Sequence, residues 1–147
     1  MQKETLNLLN SINNAIIKFR GIYSSWSYAH GISYNEMLVL YTIRENGFCT
    51  QKQICDSYLL PRQTMNNVIT GLRNKGILQY NKEHSQGKEK AFVLSEKGHE
   101  YAAPFLKSLD AVESRAIELL GADTIKQLTN LLLEYDEALN CALKEKR

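Results

Sequence analysis

Leu9, Ile12, Ile16, Phe19, Tyr23 and Trp26 recur at spacings of 3, 4, 3, 4 and 3. Ile125, Leu128, Leu132, Tyr135, Leu139 and Ala142 repeat the same spacings near the other end of the chain. Such a rhythm is the narrow apolar seam of a helix that lies along another helix. Whatever lies between must therefore sit between two long terminal helices. The simplest use of matched seams is to pack them together and to offer a surface to a second copy. Leu9, Ile12, Ile16, Leu128, Leu132, Tyr135 and Leu139 are accordingly the candidate dimerisation residues.

The middle reads as shorter elements with clear boundaries. The first helix, 5–29, ends at Gly31. Ser33 can cap a second helix, and Glu36 three residues later completes a capping box. Asn46-Gly47 stops it. Thr50 can cap a short third helix containing Ile54, Tyr58 and Leu59. Pro61 opens a fourth, since the first helical position has no use for an N–H. Met65, Val68, Ile69 and Leu72 give that helix one apolar face, and Gly76 ends it. Residues 77–80 and 92–94 suit two strands of a hairpin, with the polar stretch 81–90 as a long charged tip around Gly87. Ser95 opens a further helix to Leu120, which Pro104 is expected to break or kink.

Two helices joined by a tight turn and followed by a β-ribbon form a winged helix-turn-helix plan. The expected fold class is mainly α with a small β-hairpin wing and long N- and C-terminal dimerisation helices. Residues 33–98 form the DNA-binding lobe in this reading, and 1–32 with 99–147 the helical lobe of the same subunit. The plan suits duplex DNA: a helix fits the major groove, and a basic ribbon beside it reaches phosphates or the minor groove. With the apolar face of the fourth helix inward, the residues left outside include Arg62, Gln63, Thr64, Asn66, Asn67, Thr70 and Arg73. None is acidic. Arg, Asn and Gln are the side chains that pair bidentately with guanine and adenine edges, whereas an ordinary exposed helix face mixes Glu with Lys. Net charge supports the same region. Residues 44–90 carry eight Lys or Arg against four Asp or Glu, while 91–147 carry seven against ten. Lys88 and Lys90 place part of that basic excess on the ribbon.

The stretch Leu60 to Leu78, LPRQTMNNVITGLRNKGIL, resembles the recognition helix and following turn of the MarR family of transcriptional regulators. FVLSEKG, Phe92 to Gly98, is similar to the Leu-Thr-x-x-Gly segment that closes that family's wing. The resemblance covers nearly the whole chain. It implies a homodimer held by its terminal helices, a pseudo-palindromic operator, and in many members repression relieved by a small molecule or by cysteine oxidation. One departure concerns the wing. Where the family often has Asp-x-Arg, Gln86 and Lys88 stand here, and lysine lacks arginine's flat fork. Wing contacts are thus expected to be to phosphate more than into the minor groove.

Tyr23, Trp26, Tyr28, His30 and Tyr41 cluster at the junction of the first two helices. They are ordinary core or, by the resemblance, the pocket of a small aromatic effector. Cys49, Cys55 and Cys141 match no zinc spacing and read as free thiols of a reducing compartment. His30, His84 and His99 lack metal-site spacing, so neither metal nor other cofactor is expected. No phosphate-cradling loop or nucleophile elbow points to an enzyme. The N-terminus lacks the plan of a signal peptide, and apolar runs are too short for a membrane span, so a cytoplasmic protein without membrane association is expected. The competing reading is a winged-helix interaction or dimerisation module without DNA readout.

Overall fold

A computed structural model describes residues 2–145. The elements are α1 (Lys3–Ala29), α2 (Tyr34–Asn46), β1 (Cys49–Thr50), α3 (Gln51–Tyr58), α4 (Arg62–Asn74), β2 (Leu78–Gln86), β3 (Glu89–Leu94), α5 (Glu96–Leu120) and α6 (Ala122–Glu145). This is a winged helix-turn-helix with long terminal helices. By internal contacts the chain divides into two compact units, Met1–Leu106 and Lys107–Arg147.

The core of the first unit is built from α2, α3, α4 and the sheet. Val39, Leu40, Ile54, Met65 and Leu72 are fully buried, and Ile77, Leu78, Phe92 and Leu94 close the core from the sheet side. Helix starts follow the cap chemistry. Ser33 Oγ accepts the Glu36 N–H at 3.1 Å, and Glu36 Oε2 accepts the Ser33 N–H at 3.1 Å. Thr50 makes the same exchange with Gln53. This second box is closed by glutamine in place of the more familiar glutamate, and its amide oxygen accepts equally well. Pro61 sits one place earlier than expected, at the N-cap with extended backbone (φ −60°, ψ 137°), so α4 begins at Arg62. Gly47 and Gly76 take the left-handed backbone that ends α2 and follows α4.

The α2 start is also tied to the α4 end. Lys75 Nζ donates to Glu36 Oε1 at 3.0 Å. Burial pushes the Glu36 carboxyl up, but hydrogen bonds from Lys75 and Ser33, with the lysine's charge, outweigh it and hold the group below its ordinary value. The hydrogen bond to Glu36 holds the Lys75 ammonium above its own. A carboxyl held low contributes stability above its unfolded pKa of about 4.3, and the contribution is lost as pH falls through the folded value. Lys75→Ala is therefore expected to cost about 0.5 kcal/mol at pH 7, a small figure because the lysine is mostly exposed. Thermal melts at pH 7 and pH 3 check this: the gap between wild type and variant should close at the lower pH.

The hairpin differs from expectation. The sequence suggests short strands and a ten-residue tip, yet β2 and β3 run out to a tip of Gly87 and Lys88, with Gln86 paired to Glu89. Polar residues of the outer hairpin bury no face, so no alternation advertises them as strand. A register irregularity between Asn81 and Gln86 is patched by a side chain. Ser85 Oγ donates to the Asn81 carbonyl and accepts the Ala91 N–H. The sheet has a third strand that the sequence did not suggest. β1, only Cys49–Thr50, pairs antiparallel with β3 through Cys49–Phe92 and Thr50–Ala91, giving the order β1-β3-β2. Of the break or kink expected at Pro104, no break occurs, since α5 continues through it. Proline removes one helical hydrogen bond, and long helical stretches on both sides carry the helix past it.

α1 buries only Ser27 among its residues. In the second unit, α6 buries none, and Leu128, Leu132 and Leu139 remain 44–48% exposed. Among the described residues, no helix is long and apolar enough to cross a membrane.

Candidate nucleic-acid interface

α4 separates its faces cleanly. Met65, Ile69 and Leu72 are buried and Val68 is half-buried, while Arg62, Gln63, Asn66, Asn67, Thr70 and Arg73 are exposed. Thr64 is half-buried. Gln63 Nε2 donates to Asn67 Oδ1 at 2.9 Å, one turn along, so these two amides are held side by side. Arg73 leans towards the wing, with its guanidinium carbon 5.6 Å from the centre of the Phe92 ring.

The wing stands against this face. Arg62, Asn66, Thr70 and Arg73 from α4 share an open groove of about 380 Å³ with Lys88 and Lys90. Six of the nine residues expected at DNA thus come together, while Gln63, Thr64 and Asn67 lie outside the groove. Gln51, Lys52 and Glu89 also line it and were not anticipated. They arrive there through the β1–β3 pairing, a contact between segments some 40 residues apart for which the sequence carries no local signal. On the outer part of β2, His84 stacks on Phe48 with ring centres 4.3 Å apart.

The aromatic cluster at the α1–α2 junction is more dispersed. Trp26 stacks on His30 with ring centres 4.2 Å apart, and the His30 ring bonds to the Trp26 carbonyl through Nδ1. Tyr23 meets Phe19 edge-on, the Arg44 guanidinium lies over the Tyr41 ring, and Tyr28 is 88% exposed. Trp26 Nε1 is buried without a hydrogen-bond partner. A separate cavity of about 320 Å³ is lined by Arg20 of α1, Tyr34 and Leu38 of α2, and Ser57, Tyr58, Leu59 and Leu60 of the α3–α4 turn. None of the five expected effector residues lines it. Leu59 in that turn has a left-handed backbone, φ 52°, unusual for a residue with a branched side chain.

The cysteines are free. Burial pushes the Cys49 thiol up to about 12 and raises that of Cys55, so neither favours the reactive thiolate form. Cys141 is exposed on α6. No group of three or more His, Cys, Asp or Glu among the described residues could hold a metal ion.

A helix face free of acids, set against a basic β-ribbon, completes a winged helix-turn-helix. The MarR family model matches residues 30–88, which span α2 to the wing tip. Solved structures are similar in fold over most of the chain. A MarR family regulator from Neisseria meningitidis superposes with a TM-score of 0.84 at 24% identity, covering 95% of this chain and 99% of that one. MarR of Staphylococcus aureus, solved with salicylate and kanamycin, gives 0.68 at 16% identity, covering 94% and 93%. MepR of S. aureus, solved in a DNA complex, gives 0.63 at 15% identity, covering 95% and 98%. No curated protein sequence matches. The chain has the MarR family fold, and its residues 30–88 carry the family's sequence pattern, as the motifs implied.

Proposed function

We propose that the chain is a sequence-specific DNA-binding transcriptional regulator, a repressor that acts as a homodimer on a pseudo-palindromic operator. The observation that carries this reading is the groove in which acid-free α4 faces Lys88 and Lys90. In this reading Arg62 and Asn66 contact base edges, with Gln63, Thr64, Asn67, Thr70 and Arg73 beside them, and the two wing lysines contact phosphate. MepR, which shares the fold, has been seen on DNA. The homodimer rests on the terminal helices. Leu9, Ile12, Ile16, Leu128, Leu132, Tyr135 and Leu139 form apolar seams with no member fully buried, an unusual amount of apolar surface for a lone chain. A small aromatic effector that loosens DNA is part of the proposal. Salicylate bound to S. aureus MarR supports it, and so does the orphaned Trp26 Nε1 at the α1–α2 junction, a donor for a carboxylate.

Titration of labelled duplex with the Lys88→Ala variant over a range of salt tests this reading. Binding should weaken by a similar factor on every sequence, and the slope of log affinity against log salt should fall by about 1. A variant that weakens binding to one sequence only would move Lys88 from phosphate to base readout.

A further inference from the structure

The wing strand β3 begins with a carboxylate that DNA binding gives no reason to place there. Glu89 is the one acid among the described residues lining the α4–wing groove, amid Lys52, Arg62, Arg73, Lys88 and Lys90. An acid facing phosphates repels them. Its surroundings supply another task. Glu89 Oε1 accepts the backbone N–H of Lys52 at 2.9 Å. Lys52 is the second residue of α3, so this N–H is one that the helix itself leaves open. The first turn of α3 contains no acid of its own, and Glu89 brings negative charge to that positive end from 37 residues away. The Lys52 ammonium turns instead to Asp56, at 3.9 Å, so the link to Glu89 is made by the backbone.

The same turn of α3 also holds the recognition helix. Gln51 Nε2 donates to the carbonyl of Arg62, the first residue of α4, at 2.9 Å. One short helical turn therefore grips the wing with one hydrogen bond and α4 with another. The hairpin register places the grip where it matters: Gln86 pairs with Glu89, so Lys88 projects from the tip immediately before the held residue.

We propose that Glu89 is a positioning residue for DNA recognition, whose carboxylate clamps the wing tip to the first turn of α3 so that Lys88 and Lys90 meet the duplex in register with Arg62 and Asn66. The proposal rests on the DNA-binding reading above. Coulomb repulsion and positioning predict opposite signs. Repulsion alone makes any loss of the charge improve binding, whereas a clamp makes loss of the acceptor oxygen harmful.

The test compares wild type, E89A and E89Q on a duplex the wild type prefers and on a scrambled duplex, together with hydrogen exchange at the Lys52 amide without DNA. E89A should bind the preferred and the scrambled duplex each about tenfold more weakly, because misplaced phosphate contacts lose affinity on every sequence, and its Lys52 amide should exchange about tenfold faster. E89Q keeps an oxygen acceptor, so it should stay within about threefold of wild type on the preferred duplex and keep the amide slow. The proposal is overturned if E89A and E89Q bind both duplexes more tightly by the same factor, or if the Lys52 amide is equally protected in all three proteins. A wild type that fails to distinguish the duplexes overturns the DNA reading itself, and that result appears before any substitution is made.

Discussion

Gly98→Ala is expected to destabilise the N-terminal unit by about 3 kcal/mol, the upper end of the usual cost of overpacking. Gly98 lies in the first turn of α5, and a Cβ built on it would overlap the carbonyl of Ile77 and press on Leu94 Cβ. The opposing atoms are mostly backbone and cannot rotate away. Ile77 is fixed besides, since its carbonyl accepts the Ser95 N–H at 3.0 Å and its N–H donates to Leu72. Ser95 Oγ in turn accepts the Gly98 N–H and donates to the Gly76 carbonyl, so the α5 start, the β2 start and the α4 end are one knot. For a unit of this size the cost corresponds to a fall in melting temperature of roughly 12–20 °C. Gly71, inside α4 with open space where its Cβ would go, provides the opposite case. Gly71→Ala should stabilise by about 0.5–1 kcal/mol, because alanine is the better helix former. Circular dichroism melts of the two variants should move in opposite directions. An unchanged melt for Gly98→Ala would mean that α5 does not press on the β2 start as described.

Arg62→Ala and Asn66→Ala are each expected to cost about 1–3 kcal/mol on the preferred duplex, roughly 5- to 150-fold in affinity, with far less loss on an unrelated sequence. Both side chains are exposed on α4 and line the groove with the wing. Their chemistry fits bidentate pairing, arginine with guanine and asparagine with adenine. Lys88→Ala is the internal contrast, since a phosphate contact carries no sequence information. Anisotropy titrations on matched and mismatched duplexes separate the two patterns. If Asn66→Ala leaves the sequence preference unchanged, α4 is not read through this face.

How much of this was legible in the sequence depended on how local each signal is. Ser33 with Glu36, Met65 to Leu72 and Gly76 each announce themselves within a turn or two of helix, and the structure has them as read. The outer wing did not, because Asn81 to Gln86 bury no face and rely on Ser85 to mend their ladder. Pro104 does not break α5, because its cost is local while a 25-residue helix has other bonds to carry it through. The interface showed the same division. Arg62, Asn66, Thr70 and Arg73 follow from α4 periodicity alone, whereas Gln51, Lys52 and Glu89 join them only after β1 pairs with β3. The cavity containing Arg20 and Tyr58 likewise depends on how α1, α2 and the α3–α4 turn meet, which no local pattern encodes.

Selection of duplexes from a random library by the purified protein, at near-physiological salt, tests the central claim most directly. The account predicts enrichment of an inverted repeat whose half-sites lie about one helical turn apart. Absence of any enriched sequence, with only weak binding that salt abolishes, would contradict it and favour an interaction module.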